Sequence, residues 1–327
     1  MWPLSTPEVP KQFTPLFAGA SLFSLTLHRL TGVPGLVDVI VVTGASHLDL
    51  VTRELEGSQV GARAIVVEPT GRNTAPAAVA AAMLCDPSDV MAILPADHLI
   101  VDDAAYRSAL DSAVELAEQG HLVAFGIEPD RPETGFGYIE TGGPIGAGHV
   151  VSRFEEKPDL ETARAFSADG RHLWNSGMFV ARADVFLEEA RTHCPLLVEG
   201  VTRCMPEANR GLVELAPGFA EVESISIDYA IMERTERGVV VPMRAGWSDV
   251  GSYLALLHAS ERDSDGNHLS GDVTAVDTTG SYLKSTSRRV VVAGVHDLIV
   301  VETPDAVLVL PMERSQEVRD LQGEPGL

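Results

Sequence analysis

Short apolar runs rich in valine and isoleucine alternate with segments of helical periodicity through the first half of the chain. The run VDVIVVT (37–43) predicts a buried strand, and 46–56, with Ser46 as candidate N-cap, predicts a helix. ARAIVVE (62–68) predicts the next strand, alanine-rich 74–85 the next helix, and VMAIL (90–94) a third strand. Residues 104–118 carry a helical pattern, 121–127 an extended one, and 21–30 fits an amphipathic helix. Apolar strands alternating with helices predict an α/β domain with a mainly parallel sheet covered on both faces. From about 133 to 180 the pattern becomes strand-rich with Gly and Pro punctuation, as a mixed-sheet insertion would be. Helical character returns at 228–234 and 252–260, with an apolar strand at 239–244 between them. Beyond 262 come brief runs at regular spacing (289–293, 298–302, 306–310), which predict a small β-rich C-terminal domain. The expected domains are therefore 1–262 and 263–327, as the length of 327 residues allows.

Composition narrows the partners. Apolar residues make up 45% of the chain and charged ones 22%, enough for a sizeable core and too apolar for disorder. Acidic residues outnumber basic ones 47 to 24, a formal net charge of −23. Such a surface repels phosphate backbones and anionic lipid, which argues against nucleic acid or membrane as a bulk partner. A small anionic substrate then needs a site that is locally positive or metal-assisted. Three cysteines without CxxC spacing suggest neither a disulfide framework nor a zinc site, and fit a reduced, cytoplasmic setting. The apolar stretch 13–30 is too interrupted to span a bilayer. Only Lys11, Lys157 and Lys284 are lysines, so each merits attention.

The chain has no GxxxxGK[ST], no GxGxxG between strand and helix, no HExxH and no GxSxG. What it has is polar residues at strand ends. Asp97, in LPADH, follows the run 90–94, where an open parallel sheet meets its ligand. Asp249, in GWSDVGSY, follows 239–244 in the same way. Two carboxylates from distant segments are ligands that Mg²⁺ accepts; each is also a reasonable turn or cap residue. EPTGRNTAP (68–76) runs from a strand end into a helix, with Asn73 or Thr74 as a plain N-cap or as part of an anion site. In RFEEKP, alternation sets Glu156 apart from Glu155 and Lys157, and a salt-bridged surface strand is the simple reading. Asn175, in LWNSGMF, lies in an apolar strand and needs a partner. Asp263 and Asp265 supply half a calcium loop without its closing acids, which favours an ordinary turn.

Together, PKQF (10–13), EPTGRNTAP, PADH, TGFGYIE (134–140), FEEKP, WNSGMF, SIDYAIME (226–233) and GWSDVGS resemble bacterial mannose-1-phosphate guanylyltransferases, within the sugar-1-phosphate nucleotidyltransferases. The resemblance runs from the first residues to about Leu310. It implies a Rossmann-like nucleotidyltransferase domain with a mixed sheet and a β-helix-like C-terminal domain that often forms homodimer contacts. It implies transfer from GTP to α-mannose 1-phosphate, giving GDP-mannose and pyrophosphate. On this resemblance Asp97 and Asp249 are the Mg²⁺ ligands and Lys11 neutralises phosphate. Glu68, Pro69, Arg72, Asn73 and Thr74 line the guanine and ribose pocket. Gly137, Glu156, Lys157 and Asn175 hold the sugar and its phosphate. The family opens with a strand and a GGxGTR loop before WPLS; here Met1 stands directly before Trp2, so both are expected to be missing and the natural start to lie upstream. That gap favours an alternative, a catalytically inactive homologue that binds sugar phosphate as a regulatory subunit. Retention of Lys11, Asp97 and Asp249 argues for the enzyme. A metal-dependent glycosyltransferase ranks below both, because PADH offers one Asp where DxD is needed.

Overall fold

In the computed structural model, which describes residues 1–17 and 19–318, the first apolar runs form β1 (Val39–Gly44), β2 (Ala62–Glu68) and β3 (Val90–Ile93). Residues 319–327, the end of the expected C-terminal domain, lie outside the described residues. The helices of this first stretch are α1 (Leu22–Leu30), α2 (Leu48–Gly57), α3 (Thr74–Ala82) and α4 (Asp103–Glu118). Ser46 is not the N-cap of α2: it sits inside a short 3₁₀ turn, Ala45–His47, and α2 starts after it, with His47 at the N-cap position and no side-chain cap. The chain continues through β4 (Leu122–Ile127), β5 (Tyr138–Ile145), β6 (Gly148–Glu155), α5 (Leu160–Ala168) and β7 (His172–Arg182). Next come α6 (Ala183–His193), α7 (Pro195–Cys204), β8 (Gly211–Glu214) and β9 (Gly238–Pro242).

These strands form two sheets. One is parallel, in the order β1-β2-β8. The other is mixed, in the order β3-β7-β4-β9-β6-β5, and only its β4–β9 pair is parallel. The hairpin of β5 and β6 and the return of β7 supply the antiparallel pairs, as the Gly- and Pro-punctuated region suggested. The expectation of a mainly parallel sheet holds only for the smaller one. The run 37–43 is not the buried strand its composition predicts: Val37 is 88% exposed and Val41 alone in β1 is buried. Among the described residues β1 pairs only with β2, and β3 only with β7, so each has an open side.

By internal contacts the chain divides into two compact units. One comprises Leu27–Pro95 and Asp102–Trp247. Its core gathers Val66, Ile139, Phe186, Leu197, Val201 and Phe219 around α3, whose alanines are small enough to bury Ala75, Ala78, Ala80 and Ala82 together.

The other unit comprises Met1–Thr26, Ala96–Val101 and the chain from Ser248 onward. It holds α8 (Tyr253–Ala259) and the strands β10 (His268–Ser270), β11 (Val273–Val276), β12 (Tyr282–Ser285), β13 (Val290–Ala293), β14 (Leu298–Glu302) and β15 (Val307–Pro311). Parallel coils stack at an offset of 14 residues for β10 on β12 (His268 on Tyr282) and of 17 thereafter: Val273 on Val290, Thr279 beside His296, Tyr282 on Ile299. β15 closes the stack antiparallel to β14. Tyr253, Tyr282, Ile299, Val301 and Leu308 form the core with Leu16 and Leu22. Asp263 accepts from the Asp265 and Asn267 backbone, and the buried Asn267 amide bonds to Thr278 O, so the suspected half calcium loop is a self-bonded turn. Glu302, 2% exposed, accepts from the Ser287 hydroxyl and from the Ser287, Arg288 and Thr286 N–H groups, which together hold its carboxyl down to about 2.

Candidate active site

Three residues of the sequence argument meet at one place. After β3 the chain runs through PADH, and Leu99 forms an antiparallel bridge with Ser248 (N···O 2.8 and 3.0 Å). That register sets Asp249 opposite His98 and beside Asp97. Lys11, at the start of the 3₁₀ turn Lys11–Phe13, reaches both: its Nζ lies 3.0 Å from Asp97 Oδ2 and donates to the Asp249 main-chain oxygen at 2.6 Å. His98 Nε2 stands 3.7 Å from the other Asp97 oxygen. The Asp249 carboxylate accepts from Gly251 N at 3.2 Å, and a Cβ at Gly251 would come within 2.7 Å of Asp249 Oδ2, so a larger residue would displace that carboxylate. Lys284, the remaining lysine of this unit, is 9% exposed and donates to Pro15 O at 3.3 Å; burial lowers its affinity for a proton.

A hard divalent cation of the Mg²⁺ class binds through one or two carboxylates and completes its shell with water and substrate phosphate. Asp97 and Asp249 are a donor set of that kind, both residues held by the same ammonium group. Among the described residues no three His, Cys, Asp or Glu side chains gather as a complete protein cage. The donor chemistry fits a metal shared with substrate oxygens.

In the other unit, β2 ends at Glu68, 8% exposed. The Arg72 backbone N–H steadies its carboxylate, while Oε1 is buried without a hydrogen-bond partner among the described residues. Burial pushes the carboxyl up to about 7. Asn73 then adopts φ +67°, ψ −174°, a region almost reserved for glycine, and caps α3 by accepting from Thr74 N. Ala75 N donates to Ile225 O and Thr74 Oγ1 accepts from Ile227 N. The first two amides of α3 are thus engaged inside the protein, and the capping role open in the sequence falls to Asn73.

Gly137, Asn175 and Glu156 meet at the neighbouring ends of β5, β6 and β7. Asn175 N donates to Gly137 O at 2.8 Å, and any Cβ at Gly137 would collide with Glu156 Oε2. The strand alternation predicted through RFEEKP stops at Glu155: Lys157 takes φ +49°, and its Nζ turns back to Glu156 Oε1 at 3.3 Å. Burial, then the charge of Asp228, raises the Glu156 carboxyl. The partner that Asn175 required is Asp228, whose Oδ1 accepts from Nδ2 at 2.6 Å. Phe136 packs edge-on against both Trp174 and Trp247, at 5.3 Å each. Sequence reasoning missed Asp228 and Glu233 as members of this cluster; two acids within the apolar SIDYAIME turn were the available signal.

Residues 1–266 match the nucleotidyl transferase family, and 271–324 match the mannose-phosphate isomerase/GMP-like β-helix domain. The xanthan biosynthesis protein XanB of Xanthomonas campestris pv. campestris (strain B100) is 43% identical over 98% of this chain and 69% of its own length. Mannose-1-phosphate guanylyltransferase of Escherichia coli (strain K12) is 41% identical, again over 98% of this chain and 69% of that protein. A crystal structure described as mannose-1-phosphate geranyltransferase from Thermus thermophilus superposes with a TM-score of 0.87 at 35% identity, covering 98% of this chain and 94% of that one.

Proposed function

The chain belongs to the nucleotidyl transferase family, and from that membership we propose that it transfers GMP from GTP to α-mannose 1-phosphate, giving GDP-mannose and pyrophosphate. Identity of about 40% with a protein named for this reaction, across nearly the whole chain, supports the choice of substrates. The observation that carries the chemistry is Lys11 joined to both Asp97 and Asp249. A phosphate oxygen of the sugar phosphate attacks the α-phosphorus in line, and the bond to the β-phosphate oxygen breaks as pyrophosphate leaves. Such a step asks a protein for positioning and charge neutralisation above all.

Asp97 and Asp249 would hold Mg²⁺. Bound there, it would withdraw charge from phosphate oxygens. Lys11 exchanges Asp97 for substrate phosphate and brings a positive charge into a chain of net −23. Residues Glu68 to Thr74 take the base and ribose, with Arg72 as the local cation. Gly137 leaves room for the Glu156 carboxylate, which with Asn175 accepts and donates to mannose hydroxyls, while Lys157 meets the sugar's phosphate.

Pyrophosphate release from GTP and mannose 1-phosphate, with each other NTP and hexose 1-phosphate as control, tests the reaction. Asp97→Asn and Asp249→Asn should each lower turnover at least ~10²-fold, as should chelation of divalent metal. The Lys11–Asp97 pair is partly exposed, so Asp97→Asn should cost about 1 kcal/mol of stability or less. Normal turnover in either variant removes that residue from the metal site. The proposal includes a cytoplasmic location and a homodimer through the C-terminal strands; Val307 and Val309, 55% and 58% exposed on the sheet-edge strand β15, support the latter. Sedimentation should give twice the chain mass of 34.9 kDa, and a Val307→Lys/Val309→Lys double variant should sediment as one chain. A monomeric parent overturns the dimer.

A further inference from the structure

SIDYAIME (226–233) has no part in the chemistry above, yet its acids touch both residues given to the mannose hydroxyls. Asp228–Met232 forms a single π-type turn, in which Glu233 N reaches back to Asp228 O at 3.0 Å. Such turns occur frequently at functional sites. From this turn Asp228 accepts from Asn175 Nδ2 at 2.6 Å, while Asn175 Oδ1 accepts from Gly177 N at 3.1 Å. The two bonds fix the facing of the carboxamide, because reversing it would set oxygen against oxygen and N–H against N–H. They leave one amide hydrogen and one lone pair of Asn175 unassigned. From the same turn the Glu233 carboxylate accepts the main-chain N–H of Glu156.

This arrangement gathers like charges and leaves a buried acceptor without a hydrogen-bond partner among the described residues. Glu156, Asp228 and Glu233 stand close enough that the other two oppose ionisation of Glu156, with Lys157 as the countering charge. The Glu156 side chain is 10% exposed, and its Oε2 is buried with no hydrogen-bond partner among the described residues. Buried acceptors are normally satisfied, and a sugar hydroxyl is a donor of the right kind.

We propose that Asp228 is a positioning residue for the sugar: it holds the Asn175 carboxamide so that the remaining N–H and lone pair meet hexose hydroxyls, while Glu233 steadies Glu156 from the same turn. The proposal rests on the guanylyltransferase reading. It predicts that Asp228 acts through Asn175 and on one substrate only.

The test compares the parent, Asp228→Ala, Asp228→Asn, Asn175→Ala and the double Ala variant. KM is measured separately for mannose 1-phosphate and GTP, and mannose 1-phosphate binding is measured by calorimetry. Asp228→Ala should raise the mannose 1-phosphate KM about tenfold with the GTP KM unchanged. Its melting temperature should change little, because the lost bond from Asn175 Nδ2 opposes the removal of a like charge beside Glu156. Asp228→Asn, which can still accept from Nδ2, should recover part of the loss. On the Asn175→Ala background the Asp228→Ala change should add nothing further. Equal rises in both KM values, additive losses in the double variant, or unchanged sugar affinity in Asp228→Ala would overturn the proposal. A parent that binds mannose 1-phosphate but releases no pyrophosphate would sink the reaction assignment alone; the calorimetric comparison would still decide the role of Asp228.

Discussion

In the 68–74 loop Glu68 Oε1 and Arg72 Nε are both buried without a hydrogen-bond partner among the described residues, and burial shifts the ionisation of Glu68. Its carboxyl is buried, one oxygen lacks a partner among the described residues, and its protonation midpoint is raised from 4.5 to about 7. A carboxyl raised on folding contributes fully below its unfolded midpoint and loses that contribution as pH climbs through the folded one. Wild-type stability should therefore fall relative to Glu68→Gln between about pH 4.5 and 7, by up to about 3 kcal/mol. Urea denaturation of both proteins at pH 5 and pH 8 checks this; a gap that ignores pH would mean the carboxylate is hydrated. The residues legible in sequence were those whose chemistry contradicts their surroundings. Asn175 in an apolar strand and Asp97 at a strand end announce themselves in this way. Asp228 does not, because its role is a bond to a side chain 53 positions away, and no local pattern encodes that distance.

At the scale of elements, periodicity located strands and helices well where packing is local. The runs behind β2, β4 and α4 became those elements because continuous apolar stretches and a 3.6-residue stripe each have one way to bury themselves. Periodicity misjudged β1, since a valine-rich run looks the same whether one neighbour or two lie beside it, and pairing decides burial. The 228–234 segment reads as helix by composition but winds one π-type turn, whose wider ring places Asp228 and Glu233 toward Asn175 and Glu156. The stacked coil was visible only as regular spacing. Its strands are three to five residues long, and what stacks them is register between coils rather than anything within one coil.

On the scale of the whole molecule, 24 basic residues face 47 acidic ones, and all but three of the basic ones are arginine. The three lysine amines differ sharply in setting: the Lys157 side chain is 59% exposed, that of Lys11 23%, and Lys284 is buried at 9%. An acylating reagent selective for side-chain amines therefore has three targets in graded order, two of them assigned to substrate phosphates. Acylation read by peptide mass spectrometry becomes a footprint of ligand binding that needs no turnover. Mannose 1-phosphate should shield Lys157 and GTP with Mg²⁺ should shield Lys11, each without slowing the other, and Lys284 should react only as the fold opens. Labelling of Lys157 that is indifferent to the sugar phosphate would detach that lysine from the site. The scarcity of lysine makes the protein its own reporter.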